Sequence, residues 1–208
     1  MRILVMGRWL TAGLALAAIP LCILLVDRPL TEFLVAHPLP GLSFLVRLPR
    51  LFFLVALVAP FFSRRLSSAA NPASWKRGAL LLSVSVLWSM AVVELVLKRV
   101  TGRLGPFAWL HNHQYGFHWF AGRSPRFQSF PSGEAALLVA AIGILWVLYP
   151  KGRWFYVLAC VVEAIALVTL QWHFLSDVIG GGLVGACGAA LAFRVQKSLV
   201  RGPDAKDQ

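Results

Sequence analysis

Long apolar runs, separated by short polar or basic stretches, dominate the pattern of this chain. The apolar residues come in continuous blocks and not in one-sided stripes, which favours helices surrounded by lipid. The second block is the least regular, because Arg47, Pro49 and Arg50 interrupt its start. The fold is therefore predicted to be an all-α integral membrane protein, a bundle of six transmembrane helices. The predicted spans are approximately Leu10–Val26, Arg50–Phe62, Gly78–Leu97, Ala135–Tyr149, Trp154–Leu170 and Val178–Phe193.

The composition agrees with a membrane protein of several spans, since 59% of the 208 residues are hydrophobic and 13% are charged. We find no internal repeat or low-complexity tract, so residues 1–208 are predicted to form one membrane domain, with a disordered tail at about 202–208. Arg2 and Arg8 precede the first apolar run, as in a signal peptide. Because no small-x-small cleavage signal closes that run, we expect it to remain as a span.

Basic residues alternate with the predicted spans in a way that sets the orientation. One face would carry a large set, and the rule that positive loops stay inside makes that face cytoplasmic. The set is Arg2, Arg8, Arg64, Arg65, Lys76, Arg77, Lys151, Arg153, Arg194, Lys197, Arg201 and Lys206. The opposite face still carries Arg28, Arg47, Arg50 and a basic cluster that runs from Lys98 to Arg126.

A basic cluster on the outer face runs against the usual bias, so it indicates either an anionic ligand or attraction to lipid headgroups. The net charge of +12 is then a membrane signal, and no nucleic-acid partner is expected. These features predict a multi-pass protein of the cell membrane, the inner membrane in a bacterium, with its site facing outward.

Polar residues near the predicted span ends suggest phosphate chemistry, although each has a structural alternative. Lys98 ends the third span and could reach a phosphate with Glu94 one turn earlier, or it could simply extend its amine out of the membrane. Ser132 and Gly133 begin the fourth span, where free backbone N–H groups bind anions. Ser132 could equally be an ordinary helix cap, with Glu134 favourably placed in the first turn.

His173 and Asp177 stand four residues apart at the junction of the last two spans. An Asp bonded to one ring nitrogen would fix the tautomer and leave the other nitrogen free as a nucleophile. His111, His113 and His118 form a looser group without Cys or helical i, i+4 spacing. We therefore predict no metal site there.

In order and spacing, these residues resemble the three motifs of the type 2 phosphatidic acid phosphatase and haloperoxidase superfamily. The family motifs read Lys-x6-Arg-Pro, Pro-Ser-Gly-His and Ser-Arg-x5-His-x3-Asp. The likeness covers about half of the chain, residues 94–180. The matching positions here are Lys98 with Gly105 and Pro106, then Pro131, Ser132, Gly133 and Glu134, then Leu167, His173 and Asp177.

The resemblance implies an outward-facing pocket in a six-helix bundle that works without a metal or cofactor. In it Lys98, Ser132 and Gly133 would bind phosphate, His173 would attack to form a phosphohistidine, and Asp177 would orient His173. Three ionisable positions of the family pattern are replaced: Gly105 and Leu167 stand for its arginines, and Glu134 stands for the acid His. Arg103, Arg123 and Arg126 are the candidate substitutes for phosphate binding, and Arg103 is also one candidate partner for the intramembrane Glu163.

The function expected from this resemblance is a lipid-phosphate phosphatase or phosphotransferase at the outer face. A catalytically silent relative that binds a lipid phosphate or a protein partner is the alternative, and the three departures favour it. A transporter would be expected to show paired broken helices, which the sequence lacks. Glu134 could replace the acid His only if it is protonated in the bound complex. The helix start and nearby cations oppose its protonation, whereas desolvation and a bound phosphate favour it.

Overall fold

The computed structural model describes residues 13–38, 44, 47–65 and 72–201, and these ranges fold into helices joined by loops. The predicted first span begins outside these ranges, as does the predicted tail. The helices are α1 (Gly13–Ala36), α2 (Leu48–Arg65), α3 (Pro72–Ala91, continued by Val92–Leu97 and Lys98–Thr101), α4 (Pro106–Asn112), α5 (Gly133–Leu148), α6 (Arg153–Thr169) and α7 (Leu175–Arg201). The all-α prediction is confirmed for the described residues.

Four helical segments are long and apolar enough to cross a membrane. They are Gly13–Ala36, Lys76–Thr101, Pro150–Thr169 and Leu175–Ser198. The second and fourth predicted spans correspond to shorter apolar helices, Pro49–Ala59 and Gly133–Leu148. The first helix continues past the predicted end at Val26 to Ala36. Asp27 does not end that helix because its carboxylate is buried and paired inside the protein.

Small residues on α7 allow α3 and α5 to pack closely against it. A Cβ atom added at Gly181 would lie 2.2 Å from the Ser132 carbonyl oxygen, and one at Gly185 would lie 2.5 Å from that of Ala136. One at Gly188 would lie 2.1 Å from Ser89 Oγ on α3. Close backbone approach of this kind is a main source of helix association in lipid, where burial of apolar surface contributes little.

The alternating direction of the helices gathers the candidate residues at one end of the fold. This end holds the last turn of α3, the start of α5 and the α6–α7 connection, and therefore Lys98, Ser132 and His173. Helix α3 ends at Gly102, whose φ of +53° is left-handed and whose added Cβ would lie 1.8 Å from the His118 carbonyl oxygen. From this turn the loop of residues 102–132 crosses the same end of the bundle.

Candidate active site

The start of α5 brings Lys98 and the Pro-Ser-Gly turn together. Ser132 caps the helix by accepting a hydrogen bond from Ala135 N at 3.3 Å, and its own N–H donates to the Asp177 carbonyl at 3.0 Å. An added Cβ at Gly133 would lie 2.9 Å from Glu94 Oε1 and 3.6 Å from Lys98 Nζ. Gly133 is therefore the position that lets the Lys98 amine lie against a helix start, where backbone N–H groups favour an anion.

Lys98 is buried and paired with its own helix. Only 9% of the residue is exposed, and Nζ donates to Glu94 Oε1 at 2.6 Å. The predicted Glu94–Lys98 contact one turn apart is thus present. It holds the ammonium at the edge of the α5 start.

Both ring nitrogens of His173 have a partner. The residue is 6% exposed; Nδ1 lies 2.9 Å from the Ser129 carbonyl oxygen, and Nε2 lies 3.3 Å from Glu134 Oε2. Since a carbonyl only accepts, Nδ1 carries a hydrogen. The ring is held with Nε2 directed at the start of α5.

Asp177 does not make the direct hydrogen bond to His173 that the sequence predicted. Its Oδ2 lies 3.7 Å from Nδ1 and instead accepts from Ser129 Oγ at 2.6 Å and from Phe174 N at 2.9 Å. Ser129 therefore lies between the two, because its hydroxyl holds Asp177 while its carbonyl holds the imidazole. The motif comparison predicts no role for Ser129, although it stands two residues before Pro131.

Glu134 joins His173 to Arg50 at the start of α2. Its Oε1 accepts from Arg50 Nη2 at 2.9 Å while Oε2 faces His173, and the Arg50 guanidinium lies 5.4 Å from the Trp172 ring centre. Arg50 was counted among the outer charges but not in the predicted site. Arg50 and Glu134 are 84 residues apart, so their contact cannot be predicted from motif spacing.

The charges around His173 favour its protonated form. Burial lowers the pKa of the imidazole, but Asp177 and Glu134 outweigh burial and raise it from 6.5 to about 9. At neutral pH and without a ligand, His173 is an imidazolium next to the Glu134 carboxylate. A nucleophilic His173 must first give up its Nε2 proton.

Arg103 is fully buried and paired with two carboxylates, which contradicts its predicted role as a ligand at the start of α5. Its side chain is 0% exposed and pairs with Asp177 Oδ1 and, at 2.7 Å, with Asp27 Oδ2. Burial alone would lower the pKa of the guanidinium, yet Asp177 and Asp27 raise it above its ordinary value. Tyr115 donates to the Ile23 carbonyl at 2.7 Å, and burial raises the pKa of its hydroxyl to about 12.

Arg103 does not pair with Glu163 either, so that prediction was wrong. Glu163 is 5% exposed on α6, and among the described residues its Oε1 has no hydrogen-bond partner. Arg103 pairs instead with Asp27, which follows directly after the first apolar run. An acidic residue at the edge of a predicted span is the sequence feature that could have indicated this buried ion pair.

The other basic candidates lie away from His173. Arg123 lines a polar cavity of about 360 Å³ together with Arg99, Glu94 and Gln128, and Arg126 is exposed and donates to Gln114. Leu167, at a family arginine position, is fully buried in the core. The three histidines between α3 and α5 each contact an aromatic ring, namely Phe107 for His111, Trp109 for His113 and Phe127 for His118.

An apolar groove of about 380 Å³ opens beside Glu134. Phe53 and Leu54 of α2, Met90 of α3 and Leu137 of α5 form its walls, and Arg50, Glu94, Gly133 and Glu134 also line it. It has the dimensions of a small-molecule cavity with an apolar interior and a few charged groups. The groove therefore places apolar walls directly beside the charged site.

The model of the PAP2 superfamily matches residues 78–201, which is more than half of the chain. The chain belongs to the PAP2 superfamily. This confirms the family resemblance that the three motifs indicated, and the match includes Lys98, the Pro-Ser-Gly turn, His173 and Asp177. Within the PAP2 pattern, Gly105, Glu134 and Leu167 remain departures from the motifs.

Two relatives of this PAP2 chain have the name lipid A 1-phosphatase. The protein from Rhizobium johnstonii is 34% identical over 108 residues, which are 50% of this chain and 42% of that protein. The protein from Rhizobium etli is 33% identical over 120 residues, which are 56% of this chain and 49% of that protein. The chain therefore spans about half the length of the curated relatives it matches. No solved structure matches it.

Proposed function

We propose that this PAP2 protein is a membrane lipid-phosphate phosphatase, or a phosphotransferase of the same chemistry, that works through a phosphohistidine on His173. The observation that carries the proposal is the fixed imidazole, with Nδ1 on the Ser129 carbonyl and Nε2 directed at the start of α5. In the proposed arrangement, six helices cross the cell membrane and the site faces outward. Lys98, Ser132 and Gly133 bind the phosphate, and Asp177 orients His173 through Ser129.

The contact between His173 and Glu134 suggests how one proton serves two purposes. In the ligand-free protein, the proton is on His173 Nε2, 3.3 Å from Glu134 Oε2. A bound phosphate dianion favours transfer of this proton to Glu134, because protonation relieves repulsion between the two anions. The transfer produces a neutral nucleophile and a carboxylic acid together.

In the first chemical step, Nε2 attacks phosphorus as the bond from phosphorus to the leaving oxygen breaks. Protonated Glu134 gives its proton to that oxygen, and the lipid leaves as an alcohol. In the second step, the Glu134 carboxylate takes a proton from water while the water oxygen attacks phosphorus and the P–N bond breaks. The proton then returns from Glu134 to Nε2, so that the pair begins and ends with one proton.

A lipid substrate is supported by the groove beside Glu134. Its walls are apolar and it joins the charged site, so it can take an acyl or similar chain while the phosphate stays at the α5 start. The names of the two relatives lead us to propose a phosphorylated glycolipid with its reactive phosphate on the sugar 1-position.

A silent relative that binds lipid phosphate or a protein partner is the second candidate. The contacts of Glu134 with both Arg50 and His173 favour it, because a carboxylate then occupies the position next to Nε2 that a phosphate would need. The absence of arginine at positions 105 and 167 adds to this argument.

Phosphate release by the purified protein in detergent separates the two candidates. Wild-type protein is expected to release phosphate from a glycolipid 1-phosphate, with phosphatidic acid as a second substrate, and His173→Ala to release none. Quenching wild-type protein and ³²P-labelled substrate with detergent at alkaline pH should trap a base-stable, acid-labile phosphoprotein that His173→Ala does not form. Lipid-phosphate binding without turnover of any substrate would support the silent relative instead.

A further inference from the structure

Arg50 is paired with the Glu134 carboxylate that also faces His173. Its Nη2 is 2.9 Å from Glu134 Oε1, and the other oxygen of the same carboxylate is 3.3 Å from His173 Nε2. One anionic group thus bridges a guanidinium and the proposed nucleophile. We propose that Arg50 binds the substrate phosphate and that Glu134 occupies this anion position in the ligand-free protein.

The geometry fits a phosphate because a phosphoryl group also presents two oxygens from one centre. One oxygen would replace Glu134 Oε1 at Arg50, while the phosphorus would come to face Nε2. A guanidinium is suited to this exchange, since its planar set of donors matches carboxylate and phosphate equally. The Trp172 ring, 5.4 Å from the guanidinium carbon, supports the side chain from the α6–α7 connection.

The arginine positions of the family motifs leave a need that Arg50 can meet. Position 105 is Gly, and position 167 is a buried Leu. Arg103 is committed to Asp27 and Asp177 with no exposed surface. The Arg50 side chain, by contrast, is 53% exposed and lines the groove, so it can turn toward a ligand.

This assignment rests on the proposed function and explains how substrate binding would activate His173. When Arg50 turns to the phosphate, Glu134 loses the cation that stabilises its ionised form. Glu134 then becomes the better acceptor for the Nε2 proton. Substrate binding and activation of His173 are coupled through Arg50, and the site stays inactive while it is empty.

Binding of inorganic phosphate, measured by calorimetry in detergent, tests the inference without turnover. Glu134→Gln should bind phosphate more tightly than wild type, because the internal competitor is gone. Adding Arg50→Gln to Glu134→Gln should weaken binding roughly 10- to 100-fold, as expected for loss of one charge-assisted hydrogen bond. Arg47→Gln, which removes a charge three residues away, is the matched control and should leave the affinity unchanged.

The double variant distinguishes a phosphate ligand from a mere partner of Glu134. If Arg50 acts only by holding Glu134, Arg50→Gln has no effect once Glu134 is Gln, and the inference is wrong. It is also wrong if no variant binds phosphate. Arg50→Lys should recover part of the affinity, which excludes misfolding as the cause.

Turnover assays keep this inference separate from the phosphatase proposal. Phosphate binding that depends on Arg50, without turnover by wild type, would end the phosphatase proposal and leave the Arg50 site standing. Turnover that Arg50→Gln does not change would contradict the Arg50 site and leave the phosphatase proposal standing.

Discussion

Two arginine–carboxylate groups lie on opposite sides of His173, and they differ in burial more than in chemistry. On one side, Arg103 pairs with Asp27 and Asp177, all three with 0% of the side chain exposed. On the other side, Arg50 pairs with Glu134, whose side chains are 53% and 14% exposed. We call these the closed group and the open pair.

Burial decides whether such a contact can be exchanged. Opening the closed group would leave charges unpaired in a medium that solvates them poorly, so it acts as fixed support for Asp177. The open pair is partly screened by water and holds little net free energy, so another anion can replace Glu134 at low cost. One site thus has a rigid side and an adaptable side.

Removing Arg103 should break the closed group and produce the largest loss of stability. Arg103→Gln leaves the buried carboxylates of Asp27 and Asp177 without their cation, which costs about 3–5 kcal/mol. We expect a large fall in the thermal unfolding midpoint in detergent, or loss of folded protein in size-exclusion chromatography. An unfolding midpoint equal to that of wild type would show that the closed group is not structural support.

Glu134→Gln should test the chemical use of the open pair. Without a carboxylic acid, release of a lipid alcohol in the first turnover should slow by about 10²–10⁴, whereas first-turnover release of nitrophenolate needs no acid and should be spared. The two first-turnover rates are measured on the same preparation with a lipid phosphate and nitrophenyl phosphate, because the second step uses Glu134 as a base for both substrates. Equal effects on both substrates would remove Glu134 from its role as the acid, and Glu134→His should restore lipid turnover if that role is correct.

The pH dependence should sharpen the same distinction. The pKa of His173 is raised to about 9, so above that pH the His173–Glu134 pair has lost its shared proton. Turnover of a lipid phosphate should therefore fall as pH rises through about 9. Turnover of nitrophenyl phosphate should not fall there, because neutral His173 suffices. Parallel pH profiles for the two substrates would contradict the shared proton.

The same pKa predicts a change in stability. Folded His173 keeps its proton to a higher pH than unfolded His173, for which the ordinary value is 6.5. Its stabilising contribution is complete below about 6.5 and is lost as pH rises through about 9. The unfolding midpoint of wild type should therefore fall over this range, and Glu134→Gln should reduce the change. A midpoint that rises over this range would contradict the assigned shift.

Loss of the open pair alone should have the smallest effect on stability. Arg50→Gln is expected to cost less than about 1 kcal/mol, because the guanidinium is half exposed. Thermal unfolding beside Arg103→Gln measures the difference between the two sides. If Arg50→Gln lowers the unfolding midpoint as much as Arg103→Gln does, the open pair and the closed group do not differ in their contribution to stability.

The sequence predicted the all-α class because long apolar runs have few other solutions. Four of the described helices are long and apolar enough to cross a membrane, whereas six spans were predicted. The sequence pattern placed the end of α1 too early, since a charged residue such as Asp27 normally marks the end of a span. Only the folded chain brings Arg103 to that carboxylate. Spacing also placed Asp177 near His173, but it could not show Ser129 between them.

The choice of a substitute arginine shows the same limit. Arg103 was selected because it stands two positions before Gly105 in the motif. The residue that contacts the Glu134–His173 unit is Arg50, which comes from another helix. Sequence proximity pointed to Arg103, whereas the contact with Glu134 comes from a residue 84 positions away.

The close packing of α7 limits which of its positions can accept substitutions during evolution. Gly181, Gly185 and Gly188 form one stripe on which even a methyl group would collide with α3 or α5. A second stripe consists of Gly182, Ala186 and Cys187. An added Cβ at Gly182 would lie 3.8 Å from its nearest neighbour, and Ala186 and Cys187 are exposed. In a saturation library, we expect substitutions on this second stripe to be neutral and almost every substitution on the first stripe to be eliminated. Mutational drift in α7 is then confined to one side of the helix.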